Sequence, residues 1–182
     1  ATVPDDYLPR TNYRPMADRA EYANRTPTVS WQEPEAITLP WAQLTPEEQT
    51  AHAALAGQSV TVQRMRAKKV TEYFRLVNRE MIGPSSERTL ITTLVPPGAA
   101  HVHTVLANAF KSQLEMVWFA AFTQSIPVDF LIKSTGSGHA NISLLSQLPT
   151  IHDDLHRNQI DGLSIRSLAI NCLTTYYAPL WS

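Results

Sequence analysis

Six prolines, Pro4, Pro9, Pro15, Pro27, Pro34 and Pro40, fall within the first 44 residues, and they constrain the fold more than any other feature of the chain. Proline locks φ and carries no backbone N–H, so prolines this closely spaced exclude a long helix or a central strand. Residues 1–44 are therefore expected as an extended arm, held to a core by Tyr7, Tyr13, Tyr22, Trp31 and Trp41. Residues 45–182 are expected to form a single globular unit. The chain has 43% hydrophobic and 17% charged residues, which suits a packed soluble core.

The rest of the chain carries signals for both helices and strands. In 45-TPEEQTAHAALAG-57, Thr45 is placed to cap a helix, Pro46 to start it, Glu48 to complete a capping box and Gly57 to stop it. Strands are expected at about 72–82 and 88–95, reversed through 83-GPSSE-87, and a third at 101–110. Helical spacing appears over 113–124, again after Pro127 through Val128, Phe130, Leu131 and Ile132, and finally over 163–177. The expected fold class is mixed α/β (α+β): a mixed sheet with packed helices and a Pro-rich arm.

The formal charge of −1 argues against a protein that coats nucleic acid or membrane by bulk electrostatics. The distribution is uneven. Between positions 64 and 88 lie Arg64, Arg66, Lys68, Lys69, Arg75, Arg79 and Arg88 against Glu72, Glu80 and Glu87, a sum of +7 − 3 = +4, which leaves −5 for the remainder. Two roles are open to arginines in the hairpin: pairing with carboxylates such as Glu72 and Glu80 across strands, or contact with a phosphate backbone. The tip 84-PSSER-88 stands out as a loop held away from a scaffold. Its plainer reading is a solvated turn.

Four histidines invite a metal reading. His101 and His103 have strand spacing, and His152 and His156 stand at i, i+4, but neither pair has an identified third ligand. A metal-dependent hydrolase is accordingly the weakest functional class. Motifs for a serine nucleophile, a phosphate-binding loop and a dinucleotide fold are absent. Cys172, the single cysteine, is expected on a core-facing helix stripe with Leu168 and Leu173 and fits a reducing, cytoplasmic setting. The apolar run 116-MVWFAAF-122 is too short to span a membrane.

Several stretches taken together resemble a known family: 9-PRTNYRP-15, 74-FRLVNREMIGPSSERTLITTLVPPG-98, 117-VWFAAFTQSIPVDFLIKSTGSGH-139, 147-QLP-149 and 168-LAINCLTTYYAPLW-181. Their order is similar to that in the C-terminal target-recognition half of large bacterial DNA methyltransferases of restriction-modification and phage-defence systems, including type IIG enzymes. The most specific elements are the R-x-x-x-R strand, the S-E-R-T-L-I strand ending in P-P-G, and the helix leading to DFLIKSTG.

The resemblance implies a target-recognition domain that sits on double-stranded DNA while a methyltransferase domain elsewhere in the parent chain methylates adenine N6 with S-adenosylmethionine. The N-P-P-[YF] tetrapeptide, the S-adenosylmethionine loop and a nuclease signature do not occur in these 182 residues. The segment, which begins at Ala1 without methionine, is thus expected to be a non-catalytic fragment that holds no cofactor of its own. On this view Arg64, Arg66, Lys68, Lys69, Arg75, Arg79 and Arg88 supply phosphate contacts, and Ser85, Ser86, Lys133, Ser134 and Thr135 approach base edges. The run 64-RMRAKK-69 is the foremost of these, being dense in charge and free of acidic neighbours in sequence. The competing class is a protein-interaction module that docks onto a methyltransferase or nuclease subunit through the arm and the last helix.

Overall fold

The computed structural model describes residues 4–6, 18–149 and 157–181. In chain order the elements are α1 (Arg19–Arg25), β1 (Glu33–Leu39), α2 (Pro46–Ala51), β2 (Val60–Arg66), β3 (Arg75–Arg79), β4 (Thr92–Val95), β5 (Val105–Ala109), α3 (Gln113–Thr123), α4 (Ile126–Ser134), α5 (Ile142–Leu145) and α6 (Arg157–Asn171). The fold is mixed α+β, with two small antiparallel sheets ordered β1-β2 and β4-β3-β5. Among the described residues no helix is long and apolar enough to cross a membrane.

The chain divides into two compact units. One comprises Pro27–Val70; the other comprises the residues up to Thr26 together with those from Thr71 onward. This changes the reading of 1–44 as a single extended arm. A proline-free stretch after Asp18 forms α1, capped by the Asp18 carboxylate, which accepts from the Ala20 and Glu21 amides. Farther on, β1 accommodates Pro34 because its sheet has only two strands, so each strand has an unpaired edge where a missing N–H costs no ladder bond. Trp31 and Trp41 lie half-buried within the Pro27–Val70 unit. Tyr7 and Tyr13 lie outside the described residues.

Within the Pro27–Val70 unit, one sheet face changes character along its length. Leu39 opposes Val60 and Ile37 opposes Val62; farther along, Glu35 opposes Arg64 and Glu33 opposes Arg66. Because side chains alternate with a period of two, this face is apolar at one end and ionic at the other. The apolar end packs with Leu44 and Trp41. Thr45 and Glu48 form the expected capping box of α2, whose helical turns end sooner than the sequence suggested, passing into a 3-10 turn over Ala53–Leu55 before Gly57 at φ 81°.

In the other unit β3 is the central strand, paired antiparallel with β4 and β5, and Arg75, Leu76, Val77 and Asn78 are all buried. Leu76, Leu94, Met116, Val117, Ala120, Leu168, Cys172 and Tyr177 build one core with Phe74. Burying large apolar side chains of this kind contributes roughly 1.5–3 kcal/mol each. A second core joins Ile82, Leu90, Val128, Ile132, Ala140 and Leu145. Past β3 the chain keeps pairing: the Ile82 amide donates to the Gly138 carbonyl and the Ala140 amide to the Glu80 carbonyl. The third strand is shorter than expected, so His101 and His103 precede it in an irregular turn. The last helix ends at Asn171, and a 3-10 segment, Thr175–Leu180, places the Tyr177 hydroxyl on the Leu94 carbonyl at 3.1 Å.

Candidate nucleic-acid interface

The basic run 64–69 is free of acidic neighbours in sequence, but not in space. Arg64 donates to Glu48 at 3.0 Å, Arg66 grips Glu35 through both carboxylate oxygens at 3.2 and 2.9 Å, and Lys68 lies 3.6 Å from Glu33. Lys69, half-buried, sits in an isolated bridge with Thr28. Two elements cause this: the strand register sets Glu35 and Glu33 of β1 beside Arg66 and Lys68, and the first turn of α2 brings Glu48 to Arg64. Over Pro27–Val70 the four cations meet Glu33, Glu35, Glu47 and Glu48, so the unit sums to +4 − 4 = 0. The Glu48 carboxyl is held below its ordinary value first by the Thr45 backbone N–H and then by Arg64.

Arg75 leaves the candidate surface altogether. Its side chain is 1% exposed, and its guanidinium donates to the Ala99 carbonyl, tying the turn after β4 to the central strand. Burial pulls its pKa below the ordinary arginine value, with Tyr22 acting weakly the other way. The expectation of a phosphate contact is therefore corrected: Arg75 braces the sheet, because its position on a strand covered on both faces leaves it no path to solvent. Arg79, at the far end of the same strand, is exposed, and among the described residues no carboxylate pairs with it.

The 83–91 loop is built differently. The Ser86 amide closes a turn on the Gly83 carbonyl at 3.0 Å, and Pro84, Ser85, Ser86 and Glu87 are exposed. Below this tip, α4 reaches up. Asp129, buried, accepts from the backbone amides of Thr89 at 2.9 Å and Leu90 at 2.7 Å. Arg88 lies 3.6 Å from the same carboxylate and donates to the Gln124 carbonyl at 2.8 Å, and Lys133 donates to the Ser86 carbonyl at 2.9 Å.

These bonds explain why regular pairing in the second hairpin strand begins only at Thr92, not at residue 88. The amides of Thr89 and Leu90 are taken by a carboxylate and cannot join the ladder. Arg88 does brace, but its partner is Asp129, which lies far away in sequence and was missed there. The signal that could have found it is an acid in the first turn of an apolar helix just after Pro127. Ser134 and Thr135 are exposed at the end of α4, their hydroxyls turned back onto the Leu131 and Ile132 carbonyls at 2.7 Å each. Of the residues expected to reach base edges, the structure thus joins Ser86 directly to Lys133.

Among the described residues no group of three or more His, Cys, Asp or Glu side chains is placed to hold a metal ion. The ring Nδ1 of His101 lies 3.1 Å from the carbonyl of its neighbour Val102, while His152 and His156 lie outside the described residues. Cys172 is buried in the core beside Leu168, and burial pushes its thiol up to about 12, away from nucleophilic use. Leu173, expected on the same stripe, follows the helix end and is exposed. The chain matches no known family model, no curated protein and no solved structure.

Proposed function

We propose that this chain is a sequence-specific recognition domain for double-stranded DNA, serving an adenine methyltransferase whose S-adenosylmethionine site and catalytic residues lie outside these 182 residues. The observation that carries the reading is the 83–91 loop: an exposed tip bearing two serines, roped to a helix that supplies a lysine directly beneath it. Hydroxyls and backbone groups on such a tip suit base edges, and a lysine spending one donor on a carbonyl retains two for phosphate. Arg79 adds an exposed cation without a carboxylate partner among the described residues.

The paired cations of β2 contribute less than their density in sequence suggests, since each brings its own glutamate. Binding by this chain is accordingly expected to neutralise few phosphates. The test is fluorescence anisotropy with a labelled mixed-sequence duplex across 50 to 200 mM salt, a range over which phosphate contacts register as a linear fall in log affinity. A shallow but measurable slope supports the reading; absence of binding at the lowest salt refutes it.

One feature favours the second reading, a module that docks onto a methyltransferase or nuclease subunit. Ile126 and Phe130, one turn apart on α4, are 77% and 71% exposed. Side chains of that size left in water suit a protein surface better than a phosphate backbone. Tight association with such a subunit, together with no duplex affinity, would favour this alternative over the first.

A further inference from the structure

We infer that Asp129 is a positioning residue for the exposed tip, with Lys133 as its second tether: α4 fixes the 83–91 loop before DNA arrives, so that Ser85 and Ser86 meet base edges from a preset geometry. This rests on the DNA-recognition reading above. A solvated turn needs only the closure already made between the Ser86 amide and the Gly83 carbonyl. Here four of the five consecutive residues 86–90 are also tied by their backbone or side chain to α4 or to the Gln124 carbonyl that precedes it. The attachments differ in kind: a buried carboxylate on two amides, an ion pair to Arg88, and a lysine on a carbonyl. The untethered member is Glu87, whose side chain is exposed at the tip.

The physical consequence concerns specificity more than strength. A loop ordered in advance loses little conformational freedom on binding, so a wrong base cannot be accommodated by letting the loop relax. Loosening the tether should therefore flatten discrimination while leaving phosphate attraction largely in place.

The experiment compares the 182-residue wild type with Asp129→Asn, which retains one acceptor oxygen but removes the charge facing Arg88, and with Lys133→Met, which cuts the Ser86 tether at a partly exposed position. Because Lys133 is also a proposed phosphate contact, this second variant is judged on exchange over 86–88 and on sequence preference, not on retention, and it keeps the test open should the first variant not fold. Two readouts are taken on each protein: amide exchange over 86–91, and sequence preference after selection from a randomised duplex pool. Exchange of the Thr89 and Leu90 amides about tenfold faster in Asp129→Asn, with preference flattened and overall retention within about threefold of wild type, supports the inference. Faster exchange with unchanged preference overturns it and leaves the DNA-recognition reading standing. Unchanged exchange in both variants shows that α4 is no clamp. Failure of the wild type to retain any duplex removes the DNA-recognition reading and this inference with it.

Discussion

The basic strand β2 and the 83–91 loop both carry cations that a sequence reader would send to a phosphate backbone, and they dispose of them in opposite ways. Along β2, and at Lys68 just past its end, the partners are glutamate side chains on neighbouring elements of the same small unit, partly exposed and of matching number. At the loop, Lys133 spends itself on a backbone carbonyl and Arg88 divides between a carbonyl and the buried Asp129. Surface ion pairs contribute little to stability and cancel charge locally. Lys133, bonded to a carbonyl, is fixed in place without being cancelled, whereas Arg88 is partly offset by Asp129. Density of charge along a sequence is thus a poor guide to a binding surface when the strand register interleaves acids among the bases.

The sharpest way to break the contrast is to remove the carboxylate beneath the loop. Asp129→Ala strands two buried amide donors, and a loss of about 3 kcal/mol in urea unfolding is expected; a loss below 1 kcal/mol would show that those amides find other partners. Arg75→Ala comes next, at about 2 kcal/mol, from the cavity and the released Ala99 carbonyl. Arg75→Met should stay within about 1 kcal/mol of wild type, because it refills the volume and removes a desolvated charge. If both Arg75 variants retain stability but lose duplex affinity, its role as a brace is wrong.

Smaller effects separate the two cation sets. Lys133→Ala should lower the magnitude of the salt slope for duplex binding by about 1, whereas replacing Arg64 and Arg66 together should lower it by less than about 1. Reversal of that order would put the DNA on β2. The smallest effect is in pH. The folded Glu48 carboxyl titrates below its ordinary 4.5, so it contributes stability at neutral pH, and that contribution fades as the pH falls through the lowered value. Weaker protection of the α2 amides below about pH 4.5, measured relative to the intrinsic exchange rate at each pH and abolished by Glu48→Gln, would register it.

Much of the secondary structure was legible because local chemistry dictated it. Thr45, Pro46, Glu48 and Gly57 mark α2 unaided, and the antiparallel pairing of β3 with β4 follows from two apolar runs joined by a Gly-Pro turn. What escaped is non-local. Pro34 reads as a strand breaker until its sheet proves to have two strands. The exposed and buried ends of β3 are alike in sequence, so Arg75 and Arg79 could be told apart only once strands lay on either side. Asp129 acts on amides 39 and 40 residues away, a distance at which no periodicity carries information.

Amide-exchange footprinting of the chain with and without a mixed-sequence duplex tests the central claim most directly. Protection over 83–88 and 133–135 on adding DNA is the predicted result. Protection confined to 64–69, or none anywhere at low salt, would contradict it.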